Sequence, residues 1–529
     1  MSTIIKFFII LIILKGIVWS LLVPLWHFPD EQAHFGHVAY LAEGGSLPLG
    51  EKGQLNLSEE IAISEKLLGT FRDERGNNSF TYHPEYRLEY SDSLNGPSED
   101  VIKSLPVSSR SNFVIKESAY YPHFYYRISA LIYKVFDNSN LFIRVFSIRL
   151  FWLSVSILTI YLSFLISKNI FPKNKLLIIT ISLATAFQPM LSFVSSGVTS
   201  DTLFNLAFAL VIYFNLKLLT KFNNKNLIFL MLSLSFGLLI KQQFIIAFLI
   251  TTPVLLRQLI RNPKIIIKLL LLVLFSVFLT YLIEPELIKG IIDPLLNGKI
   301  PYLNKRINID QARPEYSLLE HTKFTLNHTI REVLPWYWGV FNWLGVVLPR
   351  WVNKILMRLI FISGLGIFIK IIKIIKSKKV TAQHRKLIFI LWTVLAYFVS
   401  LYLWDFDYIK NNGFSFGLQG RYYFPTIISH LVLLIYGLKQ IGDLFGQRFS
   451  RLLLLLTSLW FIVLNYIGLI TVSSAYYDLS SFKSFITQAS QYKPWFAKGM
   501  WLSSLLIIYF LVSLIFIYIL IKFFQKNEK

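Results

Sequence analysis

The stretch Lys6–His34, KFFIILIILKGIVWSLLVPLWHFPDEQAH, decides how the rest of the chain is read. Phe7–Val23 is an apolar run close to the roughly 20 residues a helix needs to cross a bilayer. Trp26, His27 and Phe28 follow it, with no small-residue cleavage site nearby. The run therefore reads as an uncleaved signal anchor and the first spanning helix. Directly beyond it stand adjacent carboxylates, Asp30 and Glu31, then His34 and His37. Neighbouring acids repel and are costly to dehydrate, so they need a cation, a protonated partner or open water.

The same apolar pattern recurs along the chain. Hydrophobic residues make up 54% of the 529 positions, and the mean hydropathy is positive. Apolar runs fall at about 3–25, 142–166, 175–195, 201–220, 226–240, 243–259, 265–283, 352–375, 386–404, 422–439, 451–473 and 500–522. They predict an all-α polytopic membrane protein with about 12 transmembrane helices. Lys241, Gln242 and Gln243 interrupt the pair 226–259 and mark a hairpin tip. With no cysteine, disulfides, thiolate metal sites and thiol catalysis are excluded. The net charge of +24 is assigned to cytoplasmic loops rather than to a nucleic-acid partner.

Charge also orients the chain. The segment 120–136, YYPHFYYRISALIYKVF, is short, amphipathic and carries Arg127 and Lys134. If it does not cross, the loops on the N-terminal side are rich in Lys and Arg, and Asp443 and Glu528 are their only acids. The positive-inside rule then gives twelve spans, both termini cytoplasmic, and 120–136 lying along the outer interface. The expectation is one integral domain, 1–529, in the cytoplasmic membrane. It has a large acidic first outer loop at about 27–141, with interfacial helices, and a long aromatic outer loop at 284–350. No P-loop or GxGxxG beside a strand occurs, so no nucleotide cofactor is expected.

The outer loops hold the candidate chemistry. In a helix over 30–41, Asp30, His34 and His37 share a face. Pro29 and the two acids suit a helix start, so capping is one reading. The other is a hydrated pocket in which one carboxylate holds a divalent cation, Mg²⁺ or Mn²⁺, and the other accepts a proton. The D-x₃-H-x₂-H spacing is not a zinc signature. Asp201, in SSGVTSD, either caps the helix 201–220 or reaches the same cation. Arg421, in GLQGRYYFP, and Lys241 are cations on the side where the charge rule disfavours them. Either they contact headgroups or they hold a phosphate. The run PWYWGVFNWLG (335–345) reads as an interface belt or as a platform for a sugar or a lipid chain.

In order and sidedness, PDEQAH, the amphipathic 120–136 segment, the lone Asp201 and QGRYYFP together resemble the GT-C superfamily of integral-membrane glycosyltransferases. That group includes the protein O-mannosyltransferases, the lipid A aminoarabinose transferases and the catalytic subunit of oligosaccharyltransferase. The QGRY element is most similar to an uncharacterised bacterial branch. The resemblance implies a GT-C fold with an extracytoplasmic loop layer and a polyprenyl-phosphate-linked sugar as donor. The acceptor would be a glycan, lipid or protein of the cell envelope. It implies Asp30 as the base and Glu31 as a metal or substrate ligand. Asp201 would be the second-loop acid, standing alone where the family has D-x-D, and a further metal ligand. Lys241 and Arg421 would hold the lipid phosphate, with Tyr422 and His34 as further substrate-binding residues.

Two rivals remain. A polysaccharide polymerase or ligase would use the same site with a lipid-linked oligosaccharide. A transporter or flippase of lipid-linked sugars calls for ionisable groups inside the spans, whereas the acids here gather in the outer loops.

Overall fold

Among the described residues of the computed structural model, ten helices are long and apolar enough to cross a membrane, from Ile4–Leu22 to Gly499–Lys526. The model describes residues 2–45, 54–70, 92–118, 122–285, 311–342, 344–377 and 379–526, with a few isolated positions between 288 and 296. Two shorter apolar helices, Lys175–Phe187 and Asn224–Leu238, fill the third and fifth predicted spans. The first of these stops because Pro189 has no N–H for the helix ladder, and the chain resumes as Pro189–Val194. Each of the twelve apolar runs of the sequence reading thus carries a helix, ten of them long and apolar enough to cross a membrane.

Burial separates the centre of the bundle from its rim. Asp201–Thr220 and Gly420–Leu444 are each 72% buried over their most apolar windows, whereas Ile265–Ile283 is only 11% buried. A helix that is apolar all round and still uncovered is what a lipid solvent selects. Helix Lys175–Phe187 sits against Leu141–Ile170, Ile427–Leu444 and Gln447–Tyr476 in the core.

The expectation of spans that are apolar inside needs correction. Lys15 is buried and donates to the Ala186 carbonyl and to Ser192 Oγ (2.9 Å). Asn465 joins it, donating to Ser192 Oγ (3.0 Å) and accepting from the Trp19 indole (3.1 Å). These groups satisfy backbone at the Pro189 break, where no water is at hand. They form a structural network at a helix discontinuity.

The long loops gather at one end of the bundle. There Glu31–Ala42 packs against Phe124–Val135, and Phe124–Val135 packs against Leu141–Ile170. Phe124–Val135 has 12 residues, about 18 Å at the helical rise, and is too short to cross. It buries Tyr125, Tyr126, Ser129 and Tyr133 and leaves Leu131 and Val135 exposed. The described part of 120–136 is therefore an amphipathic helix, as expected, and is not among the helices long and apolar enough to cross; residues 119–121 lie outside those described. Glu59–Leu67 is one of the short loop helices anticipated. An antiparallel ribbon, Gln54–Ser58 with Phe113–Ser118, was not anticipated. Most of 286–310, in the expected aromatic loop, lies outside the described residues.

Part of the aromatic run 335–345 faces the core rather than a lipid interface; Trp336 is half-buried and Trp343 lies outside the described residues. Tyr337, Trp338 and Phe341 are buried, and Phe341 and Trp338 meet Trp19 and Phe461 in the core. Short strands Val340–Phe341 and Val346–Val347 turn the run inward.

Candidate functional site

Asp30 precedes helix Glu31–Ala42 in the left-handed region (φ 56°, ψ 20°). Aspartate tolerates that conformation better than most residues. Its side chain makes no capping bond to its own helix, so the capping reading does not hold. Instead its carboxylate accepts from Arg421 Nη2 at 3.3 Å, a contact joining residues 391 apart in sequence. The Asp30 side chain is 42% exposed, while that of Arg421 is 9% exposed.

Arg421 is fixed by a 3₁₀ segment, Gly420–Thr426, that opens the next span. Gly420 is required there: a Cβ at this position would lie 2.2 Å from the Tyr337 amide nitrogen. The space beside this glycine is thus filled by backbone. Tyr422 packs its ring 5.5 Å from the Arg421 guanidinium.

Asp201 begins the helix Asp201–Thr220, but its carboxylate pairs with Lys241 rather than capping the helix. Lys241 stands in extended conformation at the hairpin tip between Asn224–Leu238 and Gln242–Ile245. Its ammonium lies 5.6 Å from the face of Phe204. Asp201, Lys241, Arg421 and Tyr422 line one cavity of about 510 Å³. The rest of its wall is mainly apolar and comes from Gln242–Arg261 and Ala382–Asn412. Among these lining residues Ile245, Leu249 and Leu403 are 46, 42 and 50% exposed on the outside of the bundle. The cavity therefore has a charged head and a flank open toward the lipid phase.

His34 is buried beside this cluster, with Nδ1 2.8 Å from the Tyr126 hydroxyl. His37 stacks on the same Tyr126 ring at 3.8 Å and meets His123 Nδ1 at 3.0 Å. Burial pulls the His34 pKa down to about 4, against the opposing pull of Asp30, so the imidazole is neutral near pH 7. Burial likewise carries His37 well below the usual range, and burial with Arg127 nearby takes His123 to about 4.

Glu31 does not face the cavity. It is fully buried and pairs with Arg149, also fully buried. Its oxygens accept in addition from the amides of Trp26 and Val198, both at 3.1 Å. The role of metal or substrate ligand given to Glu31 is therefore corrected, because its lone pairs are committed. The remaining carboxylates offered for a divalent cation are paired with bases in this structure. Asp30 and Asp201 each already have a cationic partner, and two acids balance two bases. Among the described residues no group of three His, Cys, Asp or Glu side chains has metal-binding geometry.

Arg149 and Arg144 were overlooked in the sequence. Both are buried in Leu141–Ile170, and Arg144 pairs with Glu60. Two arginines five apart in an otherwise apolar run were the available signal, since a charge inside a span is retained for a partner. His321 and His328 hydrogen-bond the carbonyls of Tyr402 and Leu418, and Arg331 is exposed; none lines the cavity.

Residues 13–430 match the family described as "Predicted membrane protein (DUF2142)". Among curated proteins none matches. Two crystal structures of ArnT from Cupriavidus metallidurans are similar in fold. The apo form is 12% identical, with TM-score 0.41, covering 89% of this chain and 73% of that one. The form bound to undecaprenyl phosphate is 11% identical, with TM-score 0.43, covering 92% and 76%.

Proposed function

The chain belongs to the DUF2142 family of predicted membrane proteins, and we propose that it is a glycosyltransferase using a polyprenyl-phosphate-linked sugar. The acceptor is a glycan, lipid or protein of the cell envelope, and the reaction runs on the extracytoplasmic face of a cytoplasmic membrane. The observation that carries this reading is the cavity itself. A paired Lys241 and Arg421 at its head suit a phosphate, and an apolar flank open to lipid suits an isoprenoid chain.

The chemistry follows from the placement. Asp30 takes the proton of the acceptor hydroxyl as its oxygen attacks the anomeric carbon. The bond from that carbon to the phosphate oxygen breaks, and the electron pair leaves with the phosphate. A phosphate leaves already ionised, so no general acid is needed. Lys241 and Arg421 hold its charge and stabilise it as it grows. Their present partners, Asp201 and Asp30, keep the empty head neutral. An arriving phosphate competes for both cations, which loosens Asp30 from Arg421 when a base is required. His34, neutral and hydrogen-bonded to Tyr126, gives the acceptor a polar contact without adding charge.

General base catalysis is worth about 10²–10⁴-fold. Asp30→Asn is expected to abolish transfer, read as the glycan profile of a deletion strain complemented with the variant. Membrane insertion and binding of undecaprenyl phosphate, the ligand of the second ArnT structure, should be retained. A normal glycan profile from the variant removes Asp30 as the base.

A further inference from the structure

Three chain segments converge on one fully buried guanidinium. Arg149 spends all five of its N–H donors. Nε donates to Glu31 Oε1 at 2.7 Å and Nη2 donates to Glu31 Oε2. Nη1 donates to the carbonyls of Ser20 (2.9 Å) and Val23 (3.0 Å), and Nη2 also to that of Pro24 (3.0 Å). Its planar head lies 4.7 Å from the Phe28 ring and 4.4 Å from the Phe146 ring. The end of the first span, the turn that carries Asp30 and the helix Leu141–Ile170 are thus joined at one point.

Glu31 extends the junction to the second loop. Oε1 accepts from the Val198 amide, three residues before Asp201, and Oε2 accepts from the Trp26 amide. Gly197, next to Val198, is packed so closely that a Cβ there would lie 2.4 Å from Phe28. Trp26 and Asp30 both hold positive φ, 65° and 56°. Such residues persist only where surrounding contacts over-determine them, and here Glu31 binds the amide of one and directly follows the other.

We infer that Arg149 and Glu31 are positioning residues that set the spacing between Asp30 and Asp201; this rests on the transferase reading of that site. A buried ion pair is weak as a source of stability, since apolar side chains of similar volume often replace it at no cost. Apolar replacements would supply neither the Val198 amide–Glu31 hydrogen bond that links the two carboxylate-bearing segments nor the Arg149 and Trp26 donors that orient Glu31 for it. Geometry is what this pair provides.

The test exploits a chain without cysteine. Cysteines introduced at Ala42 and Gln243 carry spin labels on helix Glu31–Ala42 and on the hairpin beside Asp201. In the otherwise unchanged protein the label distance is expected to be single and narrow. Glu31→Gln and Arg149→Gln should broaden or shift it. Both should cut transfer by roughly 100-fold, the cost of small misplacement in a reacting geometry, while binding of undecaprenyl phosphate stays unchanged. Arg149→Lys, with charge kept but fewer donors, should fall between. If Arg149→Gln does not insert, Glu31→Gln and Arg149→Lys carry the same comparison. An unaltered distance distribution overturns the inference. So does a parallel loss of lipid binding and transfer, which marks a merely structural pair. A glycan profile that deletion of the whole protein leaves unchanged sinks the transferase reading instead, and the distances still decide what the pair does.

Discussion

Replacing Lys241 by methionine keeps most of the stem and removes the charge at the head of the cavity. A hydrogen bond involving a charged group is worth about 1.5–3 kcal/mol net. At 1.4 kcal/mol per factor of ten, that is roughly 10- to 150-fold in the dissociation constant for undecaprenyl phosphate. Two features of the site adjust the figure. Lys241 already has a partner in Asp201, so binding exchanges one anion for another and the gain sits at the lower end. Removing Lys241 also leaves the Asp201 carboxylate facing the phosphate, which pushes the loss back up. The side chains of Lys241 and Asp201 are 11 and 20% exposed, so solvent screens this repulsion only in part. The expectation is a loss of tens of fold, with partial recovery in the double variant Lys241→Met/Asp201→Asn. Titration of the purified protein in nanodiscs measures both. Undecaprenol, with the same chain and no phosphate, is the control and should bind all variants alike. An unchanged affinity for undecaprenyl phosphate, or an equal loss for undecaprenol, refutes the assignment of Lys241 to the phosphate.

Gly420→Ala drives a Cβ against the backbone of Tyr337, an overpacking cost of about 1–3 kcal/mol; it should lower the melting temperature and weaken undecaprenyl phosphate binding by moving Arg421. A second expectation concerns acid. His34 titrates near 4 in the folded protein against 6.5 in the free side chain, so the unfolded state binds the extra proton first. Stability should therefore fall as pH drops from 6.5 toward 4, by at most about 3 kcal/mol for His34, and then level off. Melting temperatures that stay flat across that window contradict the burial of this imidazole. Finally, an epitope placed at Asn138, after the amphipathic helix, should be reachable from outside intact cells; protection would invert the proposed sidedness.

How much of this was legible beforehand follows from which interactions are local. Span positions rest on length and hydropathy, and all twelve appear as helices because the bilayer demands both. The shortness of Phe124–Val135 was legible from its composition and from charge sidedness. Asp30, Asp201, Lys241 and Arg421 were each conspicuous as charges against an apolar background; Asp201, Lys241 and Arg421 line one cavity, and Asp30 meets Arg421 beside it. Glu31 was misread because adjacency to Asp30 suggested a shared task. Successive residues around a helix start point in different directions, and the partner that claims Glu31 lies 118 positions away. The interior network around Lys15 was missed for the same reason, since Ser192 and Asn465 are equally remote in sequence. Gly420 was noticed, but what fills its missing side chain comes from the aromatic run 335–345, whose inward turn no periodicity announces.

The arrangement explains why adjacent carboxylates stand at the end of the first span. Glu31 is neutralised permanently by Arg149, at a site closed to water and to ligand. Asp30 is neutralised provisionally by Arg421, at the edge of a cavity, with its side chain still 42% exposed. One acid holds the framework while its neighbour stays exchangeable. Two acids set against two bases give a head with no net charge, which a membrane edge tolerates at little desolvation cost. On the proposed transferase reading, a phosphate upsets that balance, and the balance is restored only when Lys241 and Arg421 turn to the newcomer. On this account the energy that binds the lipid phosphate also prepares the base. Weakening the Asp30–Arg421 contact without a bound phosphate should then raise the basicity of Asp30 and do nothing for transfer, because the same cation is missing at the leaving group.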